Sequence, residues 1–322
     1  MSWSLPSLEE MEAAAELIYR HMPPTPQYRW PLLDVVAGTE VWVKHENHTP
    51  VGAFKIRGGI VYMDALKRDH PHIQGVVAAT RGNHGQSIGF AASHTGVDAV
   101  IVVPRGNSPE KNAAMRALGV ELIVEGADFQ EACEFADELA ALRGLHRLPS
   151  LAHELICGVG TYCLEFLRGT PELDTVYVPI GMGSGVCAMM AARDALGLQT
   201  KVVGVVSSGA PAYKLSFEAG RVIEHAVTTV LADGMACRSP NEACLQALLA
   251  GAERVVAVDE DEVAGAMRAL FTSTHNVAEG AGAASFAALM QEREQMRGKR
   301  VGVVLCGGNV DADMFAEVLA GC

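Results

Sequence analysis

Val176-Tyr177-Val178-Pro179-Ile180 runs directly into Gly181-Met182-Gly183-Ser184-Gly185, and Val186 to Leu196 then follows with a helical pattern. An apolar, β-rich run that breaks into a glycine-rich turn and restarts as a helix is the local unit of an α/β fold. The glycines permit the positive φ angles of an anion-binding nest, and the N-terminus of the following helix adds partial positive charge. The segment therefore reads as a phosphate cup, although a single such turn also serves as a tight connection with no ligand.

The same unit recurs along the chain. Val76 to Ala79, Ala99 to Val103, Glu121 to Val124, Val202 to Val206, Val255 to Val258 and Val301 to Leu305 are short β-rich runs separated by helix-length segments. That alternation requires crossover connections and a mostly parallel sheet buried on both faces by helices. Residues 7 to 20 carry helical periodicity, with Leu8, Met11, Ala14, Ala15 and Ile18 on one side. Ser108-Pro109-Glu110 supplies an N-cap, a proline at the first helical position and an early acid. No fixed-period repeat or low-complexity linker interrupts the pattern.

Three further segments carry chemistry. Val76-Val77-Ala78-Ala79 leads into Thr80-Arg81-Gly82-Asn83-His84-Gly85-Gln86 and then a helical pattern from Ser87 to Ala92. This places backbone N–H groups and a carboxamide at the carboxyl end of a strand, where open α/β sheets bind ligands. Val51-Gly52-Ala53-Phe54-Lys55-Ile56-Arg57-Gly58 sets one lysine between an aromatic and an aliphatic residue. Partial desolvation there favours the neutral amine that attacks an aldehyde; the ordinary alternative is a stem laid along apolar surface. Cys306-Gly307-Gly308-Asn309 follows the buried-strand pattern of Val301 to Leu305, and Cys306 by itself reads as a small buried hydrophobe.

Together and in this order, these segments resemble the pyridoxal 5′-phosphate enzymes of fold type II, and most nearly the serine/threonine dehydratase branch, over roughly residues 25 to 315. Ala232-Asp233-Gly234 and Glu279-Gly280-Ala281-Gly282-Ala283 are further family-like stretches. The resemblance implies two open, twisted, mostly parallel sheets flanked by helices. It implies a large cofactor-binding domain, residues 1–71 and 151–322, with a small α/β domain, 72–150, inserted to close over the substrate; the Gly144 to Pro149 segment suits the crossover. It also implies roles: Lys55 joins the cofactor, Phe54 packs beside its ring and Asn83 bonds the ring oxygen. Gly181, Met182, Gly183, Ser184 and Gly185 hold the phosphate, Glu279 belongs to the cofactor site, and Cys306 faces the pyridine nitrogen. Thr80, Arg81, Gly82, Asn83 and His84 embrace the substrate carboxylate.

A neutral partner for the pyridine nitrogen makes a weaker electron sink than an aspartate would, which favours expulsion of a β-substituent over a long-lived carbanion. The expected reaction is β-elimination from a 3-hydroxy amino acid, giving a 2-oxo acid and ammonia. L-Threonine or L-serine is the default substrate, with 3-hydroxyaspartate or phenylserine as the alternative. Within the same cofactor chemistry stand β-replacement and amino acid racemisation, and outside it a catalytically silent ligand-binding protein of the same fold. Two departures from the family pattern bear on these. Arg81 stands where related dehydratases and racemases usually have Ser or Ala, and an arginine does not readily exchange its proton. A gapless match also puts Val206 and Ala212 where racemase-like members hold a divalent cation with two acidic side chains. Hard cations need oxygen ligands, so no metal is expected there.

With 322 residues, 49% hydrophobic and 20% charged, the chain has the composition of an ordinary soluble globular protein with a large core. A net charge of −13 disfavours non-specific binding to nucleic acid or anionic membrane. The opening residues lack a basic-then-apolar leader, and no apolar run approaches the ~20 residues of a membrane span. The eight cysteines are scattered without a Cys-x-x-Cys pair, which suits reduced thiols in a cytoplasm. A homo-oligomer, dimer or tetramer, is expected from the resemblance. With a short tail after Cys306, no carboxy-terminal regulatory domain of the kind carried by biosynthetic threonine dehydratases is expected. Asp259-Glu260-Asp261-Glu262 reads as a solvated helix start, and His45 with His48 as a polar loop edge.

Overall fold

The computed structural model describes residues 4–321. It contains two sheets. The larger has six strands in the order β1 (Gln27–Arg29), β2 (Glu40–His45), β10 (Arg300–Leu305), β7 (Thr175–Pro179), β8 (Lys201–Ser207) and β9 (Arg254–Val258). The smaller has four: β5 (Glu121–Val124), β4 (Asp98–Val103), β3 (Gly75–Ala79) and β6 (His146–Arg147). Every pairing is parallel except that of β1 with β2. Both are as expected for an α/β protein of this type.

Burial explains the composition of the strands. All five residues of β3 are buried, as are all of β4 but Asp98 and all of β10 but Arg300. Strands covered on both faces cannot alternate polar and apolar residues, so they appear as valine-rich runs. Each sheet has its own apolar layers. Met63, Ile88, Ile101 and Met115 pack on one face of the smaller sheet, and Val77, Val102, Ala132 and Ala136 on the other. Tyr162, Phe166, Met189 and Phe286 belong to the core of the larger.

The helix Lys55–Asp69 lies against Asn83–Thr95 on one side and His153–Gly169 on the other. A Cβ on Gly59 would stand 2.1 Å from Ser87 Oγ, and one on Gly158 would stand 2.3 Å from the Arg57 carbonyl oxygen. The helices therefore meet backbone to backbone. The Ser87 hydroxyl donates to the Lys55 carbonyl at 2.6 Å, fixing the helix start. Beneath it, the buried Arg57 guanidinium donates to Glu46 at 2.8 Å, Thr161 at 2.8 Å and Glu165 at 2.7 Å. Lys44 joins the cluster through Glu165 at 2.5 Å. Two cations and two carboxylates balance there, which makes such deep burial tolerable.

The helical pattern over 7–20 is the helix Leu8–Ile18, closed by a capping box between Ser7 and Glu10. Ser108 caps Pro109–Ala117, and Asp259 with Glu262 forms the capping box of Glu260–Thr274. The Gly144 to Pro149 segment holds more than a crossover: His146 and Arg147 pair with Val76 and Val77 as an edge strand. His45 is also more buried than a loop edge. It ends β2, bonds Trp30 Nε1 through Nε2 at 2.9 Å and stacks on His48, with ring centroids 5.2 Å apart.

Candidate active site

The carboxyl ends of β3, β7 and β10 converge. Thr80, Gly181 and Cys306 leave those strands and line one cavity between the two sheets. Of the residues singled out above, Phe54, Lys55, Thr80, Arg81, Gly82, Asn83, His84, Gly181, Met182, Glu279 and Cys306 all face it. Gly183, Ser184 and Gly185 do not line the cavity; they complete the loop and the helix start behind it.

Lys55 is held by a short lattice of backbone contacts. Phe54 N–H donates to the Cys306 carbonyl at 3.0 Å, and Ala53 bridges Gly307 in antiparallel fashion. The lysine thus begins its helix with the side chain inside the cavity. Nζ lies 3.5 Å from Ser184 Oγ and 4.9 Å from the centroid of the Phe54 ring. Burial pulls the amine below its ordinary pKa, with Cys306 and Glu279 opposing that shift. Desolvation of this kind raises the fraction of neutral, nucleophilic amine.

The glycine-rich loop suits an anion. Gly183 has φ 102°, and a Cβ there would lie 2.1 Å from Cys244 Sγ; a Cβ on Gly181 would lie 2.5 Å from the Gly234 carbonyl oxygen. A side chain at either position would collide with these atoms and displace the loop. The N–H groups of Ser184 and Gly185 open the helix Ser184–Ala195 and have no intrahelical acceptor.

The Asn83 carboxamide is bonded at both ends. Its Nδ2 donates to Glu279 Oε1 at 2.6 Å, and its Oδ1 accepts from Asn309 Nδ2 at 2.8 Å. Asn309 also donates to the Val51 carbonyl at 2.8 Å, tying the turn after Gly82 to the loop before Lys55. Burial pushes Glu279 up to about 7, while Lys111 pulls it down and Asp233 pushes it further up. Its Oε2 is buried with no hydrogen-bond partner. The Lys111 ammonium contacts Asp233 at 2.7 Å and lies 3.7 Å from Glu279. Burial alone would lower Lys111, but Glu279 and Asp233 outweigh it and hold it above its ordinary value.

His84 and Cys306 are both neutral. Burial, helped by Lys55, drives the imidazole down to about 3, and its Nε2 has no partner. Burial drives the Cys306 thiol well above the ordinary range, with Glu279 adding to the effect. Val206 and Ala212 present only aliphatic side chains, one inside β8 and the other opening the helix Ala212–Ala219.

Sequence reasoning missed Lys111, which reaches the cavity from the first turn of Pro109–Ala117. Nothing in its neighbours signals this; it is visible only once the two sheets face each other. Asp233 and Asn309 lie inside family-like stretches, but the sequence alone assigns them no role.

The residues present fit pyridoxal phosphate: a desolvated lysine, an orphaned carboxylate oxygen and a neutral thiol line a single cavity, and the glycine-rich loop begins at its wall with Gly181 and Met182. The comparisons agree. L-Threonine ammonia-lyase of Thermotoga maritima is 34% identical over 291 residues, which are 89% of this chain and 72% of that protein. The solved processed form of threonine deaminase isoform 2 from Solanum lycopersicum superposes with a TM-score of 0.88 at 26% identity, covering 98% of this chain and 95% of the other. A solved pyridoxal 5′-phosphate-dependent aspartate racemase superposes with a TM-score of 0.92 at 28% identity, covering 98% and 99%. The family described as pyridoxal-phosphate dependent enzyme matches residues 18–307, and the chain belongs to it.

Proposed function

We propose that the protein is an ammonia-lyase that removes the β-hydroxyl of a 3-hydroxy amino acid, giving a 2-oxo acid and ammonia. The observation that carries this reading is the neutral, buried Cys306 thiol at the end of β10, in the same cavity as the desolvated Lys55. A thiol held far above its ordinary pKa cannot protonate a pyridine nitrogen as an acid would, and a modest electron sink suits elimination. The similarity to the Thermotoga maritima enzyme, named for threonine, supports the same chemistry.

In this reading Lys55 joins the cofactor, Gly181 to Gly185 hold its phosphate, Asn83 and Glu279 face its ring oxygen side, and Phe54 and Cys306 bound the ring. Bound there, pyridoxal phosphate supplies an electron sink for the bonds at the substrate's α-carbon. The chain's own groups do the rest. Lys55, lowered by burial, would take the α-proton at Nζ, and an equivalent proton delivered to the departing β-hydroxyl would let it leave as water, so that no proton is gained or lost in the elimination. Asn83, His84 and Gly85 begin a helix, so their N–H groups, with the Thr80 hydroxyl, offer donors to the α-carboxylate. Neutral His84 adds an acceptor without adding charge.

Residues 72–150 form the unit that moves over the substrate, and 1–71 with 151–322 form the cofactor domain. Supporting this, the ties across the cavity are polar: Lys111 to Asp233, Ser108 to Asp311, and Asn83 to Glu279; at the 71/72 boundary, by contrast, Met63 and Leu66 of the helix Lys55–Asp69 pack into the apolar layer of the smaller sheet. A homo-oligomer fits the apolar residues Leu32, Val35 and Val36 of the helix Pro31–Ala37, which stay exposed. The seven described cysteines are all unpaired, in keeping with a cytoplasmic enzyme, and no described helix is long and apolar enough to cross a membrane.

The test is release of ammonia and 2-oxo acid by the holoenzyme from the stereoisomers of serine, threonine, 3-hydroxyaspartate and phenylserine. Stoichiometric release from at least one supports the reading. Turnover of O-acetylserine only in the presence of sulfide, or interconversion of enantiomers without ammonia, overturns it.

A further inference from the structure

Arg81 carries a positive charge into the cavity without an anion to meet it. Its side chain lines the cavity, its Nε is buried with no partner, and among the described residues its guanidinium forms no ion pair. The other cation of the lining outside the Lys55 position is different: Lys111 is engaged by Asp233 and flanked by Glu279. A buried donor without an acceptor is unfavourable, and the half-buried Arg81 leaves its Nε in that state at the cavity wall, so it is placed to receive an anion from a ligand.

Two anions of the reaction are already provided for. The cofactor phosphate has the glycine cradle at the end of β7, in the larger sheet, whereas Arg81 follows β3 in the smaller. The substrate α-carboxylate has the N–H groups that begin the helix Asn83–Thr95, together with Thr80. What remains for a rigid, bidentate donor fork is a second carboxylate on the substrate itself.

We infer that Arg81 determines specificity for 3-hydroxy amino acids bearing a second carboxylate, of which 3-hydroxyaspartate is the smallest member. This rests on the ammonia-lyase reading. Phe129 also lines the cavity and suits an aromatic β-substituent, so phenylserine is the competing substrate for the same space.

The experiment measures kcat/KM of wild-type, Arg81→Ala and Arg81→Lys holoenzyme with 3-hydroxyaspartate, serine and phenylserine. Calorimetry on the same proteins measures binding of succinate and of propionate, and an absorbance titration measures affinity for the cofactor. The wild type should prefer 3-hydroxyaspartate. Arg81→Ala should lose roughly 10- to 150-fold more on it than on serine, the span of one hydrogen-bonded charge contact. Succinate binding should weaken with it while propionate binding follows serine, and Arg81→Lys should restore only part of each loss.

Equal losses on both substrates would assign Arg81 to the α-carboxylate and overturn the inference. So would a loss of cofactor affinity matching the loss of activity, or a wild-type preference for phenylserine. If no 3-hydroxy amino acid releases ammonia, the ammonia-lyase reading fails by itself. The dicarboxylate binding arm then still decides Arg81: dependence of succinate affinity on its charge supports the contact, and indifference contradicts it.

Discussion

Asn309 donates to Asn83 Oδ1 at 2.8 Å, and through that bond the turn at the end of β3 is locked to the loop after β10. The second amide hydrogen of Asn309 goes to the Val51 carbonyl, so one side chain sets the spacing of three cavity segments. The Asn83 amide is thereby oriented with Nδ2 toward Glu279. Asn309→Ala should leave two buried acceptors short of a donor and cost about 1–3 kcal/mol of stability. Because it acts through Asn83, it should also weaken cofactor affinity, read by absorbance titration. Asn309→Asp, which loses the donors but keeps the shape, should not rescue it.

Cys306→Ser should keep substantial elimination activity, since both side chains remain neutral. Cys306→Asp should impair elimination or divert turnover toward α-proton exchange, as followed by deuterium incorporation into recovered substrate. An unchanged partition between products would show that the residue does not touch the cofactor ring.

Glu279 ties stability to pH. Its pKa is raised from 4.5 to about 7 by burial, so the folded state holds a proton that the unfolded chain has lost. The stabilising contribution of the protonated group is full below pH 4.5 and falls away as pH rises toward 7, by on the order of 3 kcal/mol. Glu279→Gln should flatten the decline across this window. Denaturant titrations of both proteins at pH 5 and pH 8 check it, and the difference between variant and wild type should favour the variant more at the higher pH.

Arg57→Ala would leave Glu46 and Glu165 buried with only Lys44 between them. Removing one partner from such a cluster costs about 3–5 kcal/mol. Thermal melts should show that loss, with activity at low temperature reduced less than stability because Arg57 does not line the cavity.

Much of this was legible in the sequence, for identifiable reasons. Buried parallel strands announce themselves as valine-rich runs, and Gly181 to Gly185 can be read because a nest has few residue types to choose from. β1 and β6 escaped because two or three residues carry no hydrophobic period, and β2 because Glu40, Lys44 and His45 break its apolar run. Lys111 escaped for a different reason: it lies between small and polar residues on a helix, and only the approach of the smaller sheet to Asp233 and Glu279 gives it a function. Asn309 was visible as a motif residue, but its bond to Asn83 spans 226 positions and is a property of the fold.

Two lysines reach the cavity, and the account depends on which one joins the cofactor. Lys55 is lowered by burial and Lys111 is raised by its carboxylate partners, so only Lys55 offers a ready neutral amine. Borohydride reduction of the holoenzyme, followed by peptide mapping of the label, distinguishes them directly. The expected result is stoichiometric label on the peptide containing Lys55, with the visible band and the label both absent in Lys55→Ala. Label on Lys111, or a Lys55→Ala protein that keeps both the label and normal ammonia release, would contradict the account.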